Sequence, residues 1–196
     1  MVEGLVYAFD PTVHVIPEFK IPIEWGRIAS IDWGTRNPFC YLLAAHDPAD
    51  DTIHVYRAIY HRERTITQHV DAMREITDVW PEWIVADSED RGSRLTMARE
   101  HDIPTLPTRK GKGSVRSGLN HVQERLEPDA SGRPHLFIHD HPSMKPVIKE
   151  FLSYRWDTMN SKRDQPDMPL KKDDHAMDAI RYLCTRLAAS SSFGAG

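Results

Sequence analysis

Long apolar runs are missing from this sequence: none approaches the ~20 residues that a membrane-spanning helix needs. Residues 1–20 also lack a basic stretch leading into an apolar core, so no secretory leader is expected. Cysteine is scarce. The two present, Cys40 and Cys184, each sit in an apolar stretch (PFCYLLAA and IRYLCTRLAA), which argues against a disulfide framework and for buried thiols in a reducing, cytoplasmic compartment. Zinc-finger spacing is absent as well, since the histidines, His139 and His141 among them, have no cysteine partners at the required separations. There is no surplus of positive charge either. A formal net charge of -4 argues against coating nucleic acid by basic charge alone. It leaves nucleic acid open as a substrate, because acids gathered at a reaction centre lower the sum while basic segments elsewhere meet phosphates.

What is present is the balance of a folded domain. With 40% hydrophobic and 28% charged residues, the chain is too mixed to be disordered, and 196 residues suffice for one domain with a sizeable core. Residues 1–26 carry Pro11, Pro17 and Pro22 among short apolar alternations, which predicts an extended lead-in with an edge strand. Strand-like runs follow at 27–33, 39–47 and 52–61, separated by short Gly/Pro/Asp turns, which predicts an antiparallel meander. Helical spacing of Ile66, Val70, Met73 and Trp80 predicts a helix over 65–80 with a threonine cap. A short strand at 83–87, a helix at 93–101 and a strand at 103–108 then alternate, which predicts parallel pairing with right-handed crossovers. A helix from Ser114 with Val115, Leu119, Val122 and Leu126 on one face, a strand at 135–140, a helix at 144–156, a polar loop or hairpin at 160–172 and a last helix at 173–189 complete the chain. The predicted class is α/β, a mixed central sheet with its first three strands antiparallel and the rest parallel, and helices on both faces.

Three acids stand where acids are costly. Asp32 interrupts the apolar run IASIDWG, Asp87 ends WIVAD, and Asp178 lies on the helix DDHAMDAIRYL. A carboxylate in an apolar strand is unfavourable unless paired or bound to a metal. Mg²⁺ and Mn²⁺ are held by a few carboxylates from separate elements, and two such ions about 3.5–4 Å apart can promote phosphodiester cleavage. Each acid alone fits a cap or turn equally well: Asp87 can cap the next segment, and Asp173 or Asp174 the last helix. His175 and Asp178, three residues apart, share a helix face. His175 can stand beside a metal, shuttle protons, or lie in solvent.

At this point several segments together carry a resemblance. VYAFDPTVHVIPEFKIP, IASIDWGTRNPF, VADSED, TRKGKGSVRSGLNHVQERL and KKDDHAMDAIRYL, in this order, resemble the nuclease domain of phage large terminases over residues 5–187. The resemblance implies a ribonuclease H-like fold that cuts concatemeric double-stranded viral DNA during genome packaging in the host cytoplasm, using two divalent cations, Mg²⁺ or Mn²⁺. It puts the metal-binding acids on Asp32, Asp87 and Asp178. His175 then matches a histidine found beside the third acid in some members, and Asp174 is an auxiliary acid. The implied partners are DNA, an ATPase domain of the same polypeptide, a small terminase subunit and a portal. The family's motor is not in this sequence: Gly111-Lys112 lacks the preceding glycine of a phosphate loop, and Gly113 stands where Ser or Thr belongs. The expected organisation is therefore a lead-in at 1–26 that follows an ATPase, a nuclease domain at 27–189 and a flexible tail at 190–196.

Independently of family, Arg109, Lys110, Lys112 and Arg116 surround two glycines ahead of a helix, which suits phosphate contacts. Lys162, Arg163, Lys171 and Lys172 form a second basic group before Asp178. Neither carries a base-reading motif, so cleavage of weak sequence preference is expected. Rival readings are another ribonuclease H-like enzyme, such as a junction resolvase or transposase core, and a non-catalytic domain of this fold that binds DNA or a portal.

Overall fold

The structure, a computed structural model, describes residues 4–34, 37–157 and 168–191. The meander comes first: β2 (Gly26–Asp32), β3 (Phe39–Asp47) and β4 (Thr52–His61) pair antiparallel, and all of β2 beyond Gly26 is buried. That burial on both faces is why β2 is largely apolar, with Arg27, Ser30 and the terminal Asp32 as its buried polar residues. β4 carries an extra residue, since Leu43 pairs with Arg57 but Ala44 with Val55. β5 (Trp83–Ala86) then lies parallel to β2, and β6 (Leu106–Pro107) parallel to β5. On the opposite side β7 (Leu136–His139) runs parallel to β4, and β1 (Val15–Ile16) parallel to β7. Among the described residues the sheet order is β1-β7-β4-β3-β2-β5-β6, the mixed α/β arrangement that the sequence predicts.

Helices cover both faces. α2 (Ile66–Ile76) and α3 (Arg91–Glu100) lie over one, while α4 (Ser114–Leu126), α5 (Lys145–Ser153) and α6 (His175–Ser191) lie over the other. The first face holds Ile31, Phe39, Tyr41, Leu43, Val70, Met73 and Met97, and the second Leu42, Val55, Leu119, Phe151, Met177 and Leu183. Each fully buried Leu, Ile or Phe contributes roughly 1.5–3 kcal/mol of transfer free energy, so the two layers supply the main drive to fold. Tyr7 and Phe9 belong to the second layer, with Phe9 stacked on Phe151.

Several boundaries differ from expectation, each for a local reason. The segment expected to be extended contains a one-turn helix, α1 (Pro11–His14), capped by Asp10 and started by a proline. α2 begins at a capping box of Thr65 and Gln68 but stops at Ile76 rather than at Trp80. Two residues on, Asp78 accepts hydrogen bonds from Arg27 and the Tyr56 hydroxyl, and Trp80 is exposed despite its helical spacing. β6 shrinks to two residues because Pro104 and Pro107 lack the N–H that a longer ladder needs, and Ile103 N–H is used by Met97 O of α3. The segment before α5 is a short 3-10 turn, Pro142–Met144. Much of the expected loop at 160–172, including Lys162 and Arg163, lies outside the described residues, as do 192–196 of the tail.

Candidate active site

Topology brings the three acids to one end of the sheet. Asp32 is the last residue of β2, and Ile31 pairs with Ala86, so Asp87 leaves the parallel neighbour at the same level. Asp87 N–H donates to Ile31 O at 3.1 Å, and the Trp33 indole N–H to Asp87 O at 3.2 Å, which ties the two strand ends together. Asp178 arrives on the first turn of α6. His175, Asp178 and Tyr182 share one face of that helix. The flanking pair both reach Asp32: His175 Nδ1 is 2.9 Å from its Oδ2, and the Tyr182 hydroxyl donates to Oδ1 at 3.4 Å. Asp178, between them, therefore faces the same end of β2.

The electrostatics record this crowding. Asp32 is 6% exposed. Burial, with the charges of Asp178 and Asp87 added, pushes its carboxyl up to about 6 despite the opposing His175. That hydrogen bond raises His175 above its ordinary value. Burial also pushes Asp178 upward, but Arg181 and Lys171 outweigh it and hold the group low. Arg181 reaches Asp178 Oδ1 at 2.7 Å through Nη2 and 3.2 Å through Nε.

Every predicted acid carries a basic partner. Lys110 Nζ lies 2.8 Å from Asp87 Oδ1 and 2.6 Å from Glu89 Oε1, while Lys171 Nζ lies 3.1 Å from Asp178 Oδ2 and 3.2 Å from Asp174 Oδ2. Two residues expected to face DNA thus turn onto acids here. Lys112, Arg116 and Lys172 are exposed, and Arg109 borders a small cavity of about 60 Å³ shared with Ser114, Arg181 and Arg186. Gly118 of α4 packs so closely on α6 that a Cβ there would meet Arg181 Cγ at 2.6 Å. With the acids paired in this way, no group of three His, Cys, Asp or Glu side chains among the described residues is drawn together tightly enough to hold a metal.

The oxygen donors nonetheless suit a hard divalent cation, because Asp32, Asp87 and Asp178 come from three separate elements and Asp32 is buried. Lys110 and Lys171 are exposed side chains whose ammonium groups already stand where positive charge is wanted. A larger open cavity of about 960 Å³ adjoins Asp87, walled by Trp33, Phe39, Arg64, His69 and Asp90 among others. Asp32 and Asp178 do not line it.

Two expected caps fall elsewhere. α3 is capped by Asp90, which accepts from Ser93 N–H, while Asp87 instead accepts from Glu89 N–H in a tight turn. The first N–H groups of α6 are met by neither Asp173 nor Asp174 but by Glu150 of α5, which accepts from Ala176 N–H at 2.7 Å and Met177 N–H at 3.3 Å. Sequence reasoning passed over Glu150, Tyr182, Arg181 and Trp33. One signal existed: Val147, Glu150, Phe151 and Tyr154 share helical spacing, so an acid stood on an apolar face.

Comparison with known proteins agrees with the fold. The model of the terminase RNase H-like domain matches residues 35–185, more than half of the chain. The chain belongs to this family. Its structure is similar to that of the large terminase from a thermophilic bacteriophage in complex with ADP, with a TM-score of 0.77 and 24% identity, over 93% of this chain and 44% of that one. This terminase domain therefore spans less than half of the thermophilic phage's protein. It is also similar to the P22 large terminase nuclease domain (TM-score 0.69, 19% identity, 94% of this chain and 93% of that one). A third likeness is to the g2p large terminase nuclease domain of bacteriophage SPP1, solved with bound Mn (TM-score 0.66, 18% identity, 88% and 96%). Among curated proteins none matches the chain. At these identities the solved structures speak for the fold, and the family match for a nuclease-domain role.

Proposed function

We propose that this domain is a divalent-metal-dependent endonuclease that cuts double-stranded, concatemeric viral DNA during genome packaging. The observation that carries the reading is the convergence of Asp32, Asp87 and Asp178 on one sheet end, with Asp32 and Asp178 nearly buried in a chain of the terminase nuclease family. Two Mg²⁺ or Mn²⁺ ions held by these acids, with Asp174 beside them, would supply water activation and charge neutralisation at the leaving oxygen. The Mn bound in the SPP1 domain supports the use of a divalent cation.

The chain's own residues do the positioning. His175 and Tyr182 fix the two oxygens of Asp32, Arg181 fixes one oxygen of Asp178, and Trp33 holds the backbone at Asp87. Lys110 and Lys171 balance the charge of Asp87 and Asp178, and with divalent cations held by those acids both side chains would be free to meet phosphate oxygens. Arg109, Lys112, Arg116 and Lys172 hold the duplex backbone, and the absence of a base-reading motif in these segments makes for weak sequence preference. The thermophilic phage's protein, solved with ADP and with ATP-gamma-S, is more than twice as long as the stretch matched here. That length supports an ATPase domain as the companion part of the same polypeptide, acting in the host cytoplasm with a small terminase subunit and a portal.

Plasmid nicking with Mn²⁺, with and without chelator, tests the proposal. Wild-type chain is expected to nick only with metal, and Asp32→Ala to lose activity while keeping its circular dichroism spectrum. Nicking by Asp32→Ala at the wild-type rate would remove the hydrolytic reading. A second reading, a DNA-binding domain of this fold without catalysis, is favoured by the basic partner on every acid. Mobility-shift binding by a wild type that does not nick would establish it.

A further inference from the structure

A second buried carboxylate stands behind the first. Glu150 is 3% exposed and lies on α5, an element that contributes none of the three acids. Its Oε2 accepts the N–H groups of Ala176 and Met177, the residues directly after His175, and its Oε1 accepts the hydroxyl of Tyr60 on β4. The sheet register gives this contact its meaning. Asp32 of β2 pairs with Cys40 of β3, and Cys40 pairs with Tyr60 of β4, so the three side chains stand in one row on one face. The first turn of α6 lies across that row. At one end His175 is fastened to Asp32, and at the other the backbone at 176–177 is fastened through Glu150 to Tyr60.

Each oxygen of Glu150 already faces a donor of the chain, so neither points to the space between the acids. A helix N-terminus favours a negative charge on its free N–H groups, and this carboxylate reaches them from a different helix. We propose that Glu150 is a positioning residue for the carboxylate site, pinning the first turn of α6 to β4 so that His175 and Asp178 stay at the level of Asp32. The inference rests on the nuclease reading for its effect on cutting, and on geometry alone for the anchor itself. Residues that orient metal-binding side chains typically cost about 10–100-fold in activity or metal affinity when removed.

The test compares Glu150→Ala, Glu150→Gln and Tyr60→Phe in the full chain. Glutamine keeps a carbonyl oxygen for the α6 N–H groups and an amide that Tyr60 can accept, so it retains the anchor without the charge. Glu150→Ala is expected to lower kcat for Mn²⁺-dependent nicking by about 10–100-fold with little change in KM for DNA. Glu150→Gln should restore most of the loss, and Tyr60→Phe should fall between. Hydrogen exchange at the Ala176 and Met177 amides is the second readout, independent of cutting: protection is lost in Glu150→Ala and kept in Glu150→Gln. If Glu150→Ala does not fold, Tyr60→Phe still weakens the anchor, and wild-type kcat with wild-type amide protection there overturns the proposal. Wild-type kcat in a folded Glu150→Ala, or unchanged amide protection, also overturns it. A wild type that never nicks, with amides that respond as described, defeats the nuclease reading and leaves the anchor standing.

Discussion

The two faces of the sheet bury titratable groups to a similar depth and treat them in opposite ways. On the α6 face, Asp32 and Glu150 are met by His175, Tyr182, Tyr60 and helix N–H groups, and burial raises them to about 6 and about 7. On the α2 face and beneath Phe19 and Trp25, burial pushes His54, His69 and His139 down to about 4. Those histidines are held mainly by rings: His54 stacks on Trp25, and His69 on Phe39 with a centroid separation of 3.8 Å. Among the described residues His69 has no hydrogen-bond partner on either ring nitrogen. Burial favours the neutral form of both kinds of group; the imidazoles reach it within an aromatic layer, whereas the carboxylates are met by donors that oppose it. The buried carboxylates of the α6 face are thus met by hydrogen-bond donors, and these histidines of the α2 face mainly by rings, although Arg27 and Asp78 form an ion pair on the α2 side.

Removing a charge partner should break this contrast most sharply. Arg181→Met leaves Asp178 buried without its closest cation, and breaking such a pair costs about 3–5 kcal/mol, to be read from urea unfolding of the metal-free chain. A loss below about 1 kcal/mol would show that Lys171 alone suffices for Asp178. Next in size is the gain from metal. Mn²⁺ at a hundredfold excess over its Kd should add about 2.7 kcal/mol of stability, seen as a higher Tm that Asp32→Ala abolishes. A Tm unmoved by millimolar Mn²⁺ would mean that the acids keep their lysines.

The smallest effect is in pH. His54 and His139 have ordinary values of 6.5 and folded values of about 4, so the unfolded chain binds more protons between those limits. Their contribution is complete above pH 6.5 and is lost as pH falls toward 4. Asp32 has the opposite sign: with a folded value of about 6 against 3.8, the native state binds the extra proton, and stability falls as pH rises through that window. Each group can change the slope by at most about 1.4 kcal/mol per pH unit. Tm measured from pH 4.5 to 7 in chelator should therefore show a shallower acid-side loss in His54→Phe and a steeper one in Asp32→Asn. Parallel curves for both variants would erase the distinction between the faces.

Much of this was legible in the residues. β3 and β4 begin and end where the sequence predicts, because both are rich in β-branched, aromatic and apolar residues and the turn at 48–51 separates them. α4 starts at Ser114, where Gly113 takes a positive φ of 81° that suits glycine. Asp32 and Asp87 stood out because an acid in an apolar strand demands a partner. What periodicity could not supply was the identity of those partners. His175 meets Asp32 across 143 positions, and Ala176 meets Glu150 across 26. Nor does spacing reveal that Lys110 and Lys171 lie on acids, since a long flexible stem reads the same whether its tip meets solvent or a carboxylate. Trp80 misled for a related reason: helical spacing records which residues would share a stripe, while Asp78 is drawn to Arg27 and Tyr56 beyond the last turn of α2.

The near-contact at Gly118 leaves α4 and Arg181 no slack. A bare backbone at that point seats one helix against the guanidinium stem of the other, and that guanidinium grips Asp178. A load on the basic N-terminal end of α4, such as a bound strand, would reach the acid as a mechanical push through Arg181. On this geometry α4 and Asp178 are coupled through a single side chain.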